Sequence, residues 1–186
     1  MPRIPVHTTT TAPKDSVALA EKLKQKHGKL LNIHAGMADS PAVIAAYDGI
    51  STAIATHGTL DARTREAIAL AVGNENDCAY CQAAHTGSAR RVGFSVEETI
   101  AIRANTIDFD DKLAALTDLV REAARNTGSV SPEAWNRALA AGWTRAELSE
   151  TFAHLAVNLY TNFFNHYAET ELDIPHAPQL PDSHTH

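Results

Sequence analysis

The sequence predicts an all-α protein, and three observations support this fold class. Helix start signals and glycine stop signals recur along the chain. No segment shows a convincing alternation of apolar and polar residues, so no sheet is expected. Of the 186 residues, 44% are apolar and 20% are charged, which is the composition of a soluble globular domain with a hydrophobic core.

Capping residues and glycines define the predicted helices in order along the chain. Ser40 and Pro41 are typical of an N-cap followed by the first helical residue, and the run that they begin ends at Gly58. Gly49 lies inside this run and weakens the case for one unbroken helix. Helices are predicted over eight segments, namely residues 15–27, 41–57, 62–73, 78–92, 96–105, 111–127, 132–141 and 145–168.

Two predicted capping boxes suggest an internal repeat. Ser95 with Glu98 and Thr144 with Glu147 each have the spacing of a capping box at a helix start. A shift of 49 residues aligns residues 89–98 with residues 138–147 without a gap. A duplicated helical unit would explain this match, but generic helix stop and start signals would produce much of it, and both interpretations stay open.

The chain is expected to form one helical domain with two extended ends. Residues 1–14 are predicted as an N-terminal arm, residues 15–172 as the helical domain and residues 173–186 as a C-terminal tail. A net charge of −6 with scattered basic residues predicts neither nucleic acid nor an anionic membrane as a partner. The sequence has no apolar run of about 18 residues and no apolar signal segment near its start, so we expect a cytoplasmic protein.

Four residues near the centre of the chain form a candidate catalytic site. The two cysteines, Cys78 and Cys81, are three residues apart, which favours a redox pair in a reducing cytosol. Glu66 stands beside the continuous apolar segment 67–72, where a carboxylate needs a partner. If the chain turns near residues 75 and 76, equal rise along two antiparallel helices brings Glu66 level with His85 and predicts a hydrogen bond between them.

The chemistry of a thiol nucleophile requires residues of these types. Cys81 and His85 are four residues apart and share a helix face, with Cys78 on the same side. A helix N-terminus and an imidazole both favour the thiolate, and a glutamate orients the imidazole. A thiolate that attacks a peroxide becomes a sulfenic acid, which a second thiol converts to a disulfide for an external dithiol to reduce.

The spacing of glutamate, eleven residues, Cys-x-x-Cys, three residues and histidine resembles the core signature of the AhpD-like alkylhydroperoxidases, within the carboxymuconolactone decarboxylase superfamily. The resemblance is strong over residues 40–105, and residues 160–166 and 173–175 are similar to the end of the peroxidase-related branch. It implies an AhpD-like helical enzyme without a cofactor or metal, which reduces alkyl hydroperoxides. It further implies a homo-oligomer, commonly a trimer or hexamer, and a dithiol reductant such as a lipoylated protein.

The resemblance also assigns a role to each sulfur. It implies that Cys81 attacks the peroxide, that Cys78 is the more exposed, resolving sulfur, and that His85 and Glu66 relay the proton. Helix-dipole reasoning alone favours Cys78 as the more acidic thiol, because Cys78 lies at the helix N-terminus. Tyr80 stands where the best-known members have a second histidine, which predicts a weaker proton relay.

Several alternatives use the same residues differently. A structural disulfide would explain the cysteines but not the matched positions of Glu66 and His85. Zinc would find three local ligands where a closed site usually has four, and haem attachment needs a histidine directly after the second cysteine, where Gln82 stands. A general thiol-disulfide oxidoreductase, a lactone decarboxylase and a non-enzymatic helical module are the remaining functions, and the first of these is the main alternative.

Overall fold

The fold is α-helical throughout the part of the chain that the structure, a computed structural model, describes. The described residues are 1–181, so the end of the predicted tail, residues 182–186, lies outside them. Residues 1–181 form no strand. The helices are a 3-10 turn at Lys14–Ser16, α1 at Val17–His27, α2 at Asn32–Met37, α3 at Pro41–His57, α4 at Ala62–Glu75, α5 at Ala79–Arg91, α6 at Val96–Ala104, α7 at Asp111–Arg125, α8 at Pro132–Ala140 and α9 at Arg145–Ala168. The all-α prediction is confirmed.

The main departure from the predicted elements is helix α2. Its N-cap, Leu31, makes no side-chain cap hydrogen bond, so no capping signal marks its start. Its residues from Ile33 to Met37 are all buried, and packing stabilises it instead. Helix α3 continues through Gly49, although the glycine predicted a possible break.

The chain divides into two compact units. Unit 1 comprises residues 1–58 and 160–175, and unit 2 comprises residues 59–159 together with the described residues from 176 onward. Helix α9 contributes residues to both units. No helix in residues 1–181 combines the length and apolar character needed to cross a membrane. The domain boundaries expected after residues 14 and 172 stay predictions.

Unit 1 contains a buried ring cluster on α1, α2 and α3. The ring of His34 lies 5.0 Å from that of His27 and 5.3 Å from that of Tyr47. Burial, with smaller contributions from His27 and Lys26, lowers the pKa of His34 to about 3. His34 is therefore a neutral member of the core at neutral pH.

Unit 2 is organised around α4, which is enclosed on all sides as the apolar segment 67–72 predicts. One side of α4 packs through Ile68 and Val72 into a cluster that includes Leu116 and Leu155. The opposite side packs through Ala67 and Leu70 against another cluster, whose other members are Ala89, Phe94, Ile102 and Leu113. The same helix carries Glu66, so the core fixes the position of this carboxylate.

The two aligned segments of the proposed repeat share a local structure. Gly93 and Gly142 both have φ of +97°, a conformation that glycine adopts without strain. Ser95 and Glu98 form a complete capping box. At Thr144, the backbone N–H donates to Glu147 at 2.7 Å, and the N–H of Glu147 donates back to the threonine hydroxyl at 3.2 Å. The two predicted capping boxes are confirmed.

A carboxylate of α9 holds the start of α4. Glu150 accepts hydrogen bonds from the backbone N–H groups of Thr59 and Leu60 and from the Thr59 hydroxyl, at distances between 2.6 and 3.0 Å. Burial raises the pKa of Glu150, but these hydrogen bonds and one from His154 outweigh it and lower the pKa to about 2. The ionised carboxylate therefore anchors the segment that leads into the helix of Glu66.

Candidate active site

The turn between α4 and α5 places Cys78 by backbone hydrogen bonds. The N–H of Cys78 donates to the carbonyl of Gly73 at 2.9 Å, and the N–H of Asp77 donates to the carbonyl of Asn74 at 3.0 Å. Asp77 has φ of +49°, as is usual for the residue that ends a helix in this type of turn. The end of one helix therefore fixes the residue with which the next one starts.

Cys78 is the N-cap residue of α5. Its Sγ accepts a hydrogen bond from the backbone N–H of Cys81 at 3.3 Å. A sulfur atom thus occupies the place that a serine or aspartate oxygen usually takes at a helix start. Both cysteines are present as thiols rather than as a disulfide.

Cys81 packs closely against α4. A Cβ atom placed on Gly73 would lie 3.3 Å from the Cβ of Cys81 and 3.7 Å from its carbonyl carbon. This separation is tighter than ordinary side-chain contacts, so the lack of a side chain at Gly73 lets the two helices approach here. Gly73 therefore contacts Cys81 through its α-carbon and Cys78 through its carbonyl oxygen.

The predicted hydrogen bond between Glu66 and His85 is present. Oε2 of Glu66 lies 2.8 Å from Nδ1 of His85. The side chains are 22% and 29% exposed respectively. With Nδ1 engaged by the carboxylate, Nε2 is the ring nitrogen that remains for a reacting molecule.

The electrostatic surroundings of His85 favour the imidazolium. Burial acts to lower the pKa of His85, but the charge of Glu66, its hydrogen bond and the charge of Cys78 outweigh this, and the pKa is raised. The contribution from Cys78 links the imidazole to the dithiol. An imidazolium at this position can donate a proton, and it stabilises a nearby thiolate.

Both cysteines are buried. Cys78 is 1% exposed and Cys81 is 3% exposed, so the expectation that Cys78 is the more exposed sulfur is wrong. The turn that precedes Cys78 and its own role as a helix cap enclose this residue. The partly exposed groups of the site are the imidazole and the carboxylate, and a substrate meets these first.

Two arginines next to the site escaped the sequence analysis. The guanidinium of Arg103 on α6 donates to Oε1 of Gln82 at 3.1 and 2.9 Å and to the carbonyl of Pro178 at 2.6 Å. Arg121 donates to the backbone carbonyls of Ile102 and Arg103. Gln82 directly follows Cys81, but no local pattern could have identified partners that are about twenty residues away.

The polar residues on α9 are not solvated, as the sequence had suggested. His154, Asn158, Asn162 and Asn165 are each 6% exposed or less. His154 lies 3.3 Å from Glu150, and Asn158 donates to the carbonyl of His154 at 2.8 Å. Within residues 1–181 no group of three or more histidine, cysteine or acidic side chains is placed to hold a metal ion.

Comparison with known proteins gives one family and several similar structures. Residues 41–125 match the carboxymuconolactone decarboxylase family. No curated protein sequence matches the chain. An uncharacterized peroxidase-related protein from Ralstonia eutropha JMP134, described as an alkylhydroperoxidase AhpD core, has a TM-score of 0.82 and 20% identity, with 92% of each chain covered.

Two further structures are similar over most of their length. A peroxidase-related protein from Silicibacter sp. TM1040 has a TM-score of 0.75 and 16% identity, covering 90% of this chain and 88% of that one. The debrominase Bmp8, a cysteine-to-alanine variant in complex with 2,3,4-tribromopyrrole, has a TM-score of 0.77 and 16% identity, covering 92% and 91%. At these identities the similarity establishes the fold.

Proposed function

The chain belongs to the carboxymuconolactone decarboxylase superfamily through residues 41–125 and has the AhpD-like fold, and from this premise we propose that it is a thiol-dependent peroxidase. It reduces alkyl hydroperoxides through the dithiol of Cys78 and Cys81, with His85 and Glu66 as the proton relay. The hydrogen bond of 2.8 Å between Glu66 and His85, on the helices that flank the dithiol, is the observation that carries this proposal.

The proposed reaction has three steps. A thiolate of the pair attacks the distal peroxide oxygen, so an S–O bond forms, the O–O bond breaks and the alkoxide takes a proton from the imidazolium of His85. The second thiol attacks the sulfenic sulfur, and the hydroxide leaves with a proton as water. An external dithiol then reduces the disulfide and is itself oxidised to a disulfide, which restores both thiols and the proton on His85.

The residues of the site suit these steps. The pKa of His85, raised mainly by Glu66, keeps the ring protonated for transfer to the leaving alkoxide. Glu66 is a positioning residue, because it holds Nδ1 and thereby aims Nε2 at the reacting atoms. The first-turn position of the dithiol on α5 favours the anionic form of sulfur that attack requires.

Peroxide consumption with dihydrolipoamide as the reductant tests the proposal. We expect turnover of cumene hydroperoxide by the wild type, none above background when both cysteines are replaced by serine, and a loss of about 100-fold in kcat/KM for His85→Asn, because general acid catalysis contributes about that much. His57→Asn, at an exposed position at the end of α3, is the matched control and should turn over like the wild type. Equal rates for the wild type and the double serine variant would overturn the proposal.

A general thiol-disulfide oxidoreductase is the second candidate function. The observation that favours it is Tyr80, a buried residue between the cysteines where a second histidine would strengthen peroxide reduction. Faster turnover of a model disulfide than of cumene hydroperoxide would support this candidate. Because the similar debrominase was solved with a brominated pyrrole, tribromopyrrole is a useful third substrate in the same assay.

The proposal extends to the setting of the reaction. A lipoylated protein is the proposed source of the reducing dithiol, and the cytoplasm is the proposed location, where both cysteines stay reduced. We also propose a homo-oligomer, a trimer or a hexamer. Phe152 and Phe163 on α9 are 67% and 58% exposed, and exposed aromatic side chains favour a subunit contact. Light scattering at micromolar concentration measures the subunit count, and a monomer would contradict this part.

A further inference from the structure

We infer that Cys78, rather than Cys81, is the sulfur that attacks the substrate, an inference that rests on the peroxidase function proposed above. The family resemblance assigns the attack to Cys81, and it expects Cys78 to be the exposed sulfur that meets the reductant. Three features of the site point instead to Cys78 as the resting thiolate.

The first feature is the hydrogen bond to sulfur. The N–H of Cys81 donates to Sγ of Cys78 at 3.3 Å, and such a bond is stronger when the acceptor is an anion. This sulfur also lies at the N-cap of α5, where the partial positive charge of the helix is greatest. Both effects stabilise a thiolate at Cys78 relative to the thiol.

The second feature is the coupling of Cys78 to the proton relay. The charge of Cys78 contributes to raising the pKa of His85, alongside Glu66. An interaction that favours the imidazolium also favours the thiolate by the same free energy, because the two charges act on each other. Cys78 and His85 therefore form an ion pair, with the carboxylate of Glu66 behind the ring.

Other charges around α5 do not oppose this assignment. Glu75 on α4 is paired with Arg125 at 2.7 Å and lies 3.7 Å from Arg121. Arg103 on α6 adds a buried positive charge through its hydrogen bonds to Gln82. Asp77 directly precedes Cys78 in the chain, but it is exposed to solvent.

The third feature is the packing of Cys81. Its Cβ lies against the backbone of Gly73 on α4, where even a methyl group would be crowded at 3.3 Å. Cys81 can reach Sγ of Cys78 across one helical turn, because it lies three residues further along α5. This position suits the thiol that condenses with a sulfenic acid after the peroxide has reacted.

The chemistry then follows a defined order. The Cys78 thiolate forms the S–O bond, the O–O bond breaks, and His85 donates its proton to the alkoxide, which leaves as the alcohol. The Cys81 thiol displaces hydroxide from the sulfenic sulfur, and water leaves as the disulfide forms. An external dithiol reduces this disulfide, and one of the two restored thiols returns its proton to His85.

Site-resolved alkylation of the wild-type protein tests the assignment without any substitution. Isotope-coded iodoacetamide is added to the reduced protein between pH 5 and pH 9, and mass spectrometry measures the rate at each cysteine. We expect Cys78 to react about tenfold faster than Cys81 at pH 7, which is the ratio that a difference of one pKa unit gives to the thiolate fractions. Equal rates, or a faster reaction at Cys81, would overturn the inference.

Stoichiometric oxidation of single variants provides a second readout. Cys81→Ser, which retains Cys78, should consume one equivalent of cumene hydroperoxide and yield a dimedone-trapped sulfenic acid, whereas Cys78→Ser should do neither. The reverse pattern would refute the assignment while leaving the peroxidase function intact. A wild type that consumes no peroxide would refute the proposed function, and the alkylation rates would still decide which sulfur is the thiolate.

Discussion

Replacement of His34 by phenylalanine should remove a large acid sensitivity from unit 1. The pKa of His34 is lowered to about 3 by burial, and the side chain is 3% exposed. Below pH 6.5 the unfolded chain binds a proton that the folded chain refuses, so stability is full above pH 6.5 and falls as the pH decreases toward 3. At about 1.4 kcal/mol per pH unit, the full difference corresponds to about 5 kcal/mol, of which about 2 kcal/mol is lost between pH 6.5 and pH 5.

Hydrogen exchange is the suitable assay, because both tryptophans, Trp135 and Trp143, lie in unit 2 and their fluorescence does not report on unit 1. Protection of the amides in α2 and α3, corrected for intrinsic exchange, should decrease by about 2 kcal/mol in the wild type over this interval. His34→Phe keeps the ring contacts with His27 and Tyr47, and its protection should change little. His57→Phe, at an exposed position, should behave like the wild type. The same loss in His34→Phe as in the wild type would refute the reasoning.

Three further predictions concern unit 2. Glu66→Gln removes the carboxylate that raises the pKa of His85, so the alkaline limb of the pH profile of kcat/KM should move to lower pH; an unchanged limb would contradict the relay. Glu150→Gln should lower the free energy of unfolding at pH 7 by about 2 kcal/mol in urea titrations, since charged hydrogen bonds to Thr59 and Leu60 are weakened. It should also reduce the loss of stability between pH 4.5 and pH 2 that the low pKa of Glu150 causes, and an equal loss in both proteins would contradict this. Gly73→Val should destabilise by about 1–3 kcal/mol through crowding of Cys81, whereas Gly49→Val, where a Cβ meets no atom within 4 Å, is the control, and equal effects at both positions would contradict the close approach.

Local capping chemistry is what the sequence predicts best in this protein. Helix α3 begins at Pro41 and ends at His57, and α9 begins after Thr144, at the predicted residues. These boundaries depend on hydrogen bonds between residues three or four positions apart, which a sequence pattern contains in full. Helix α2 has no such signal, because its formation depends on burial against residues far away in the chain.

The candidate site divides in the same way. The hydrogen bond between Glu66 and His85 was predictable, because two helices of equal rise on either side of a short turn bring these positions level. The burial of Cys78 was not, since it depends on the left-handed conformation of Asp77 and on the carbonyl of Gly73. The hydrogen bonds of Arg103 to Gln82 join separate helices, and no periodicity in either helix encodes them.

A helix whose first turn is closed by a thiol changes when that thiol is blocked. Alkylating agents added during purification would convert Sγ of Cys78 into a bulkier thioether, a poor acceptor for the N–H of Cys81. The start of α5 would then fray in the blocked protein. Melting curves and binding data from alkylated samples would accordingly describe a molecule with a looser site, and comparisons between preparations require a measured thiol content.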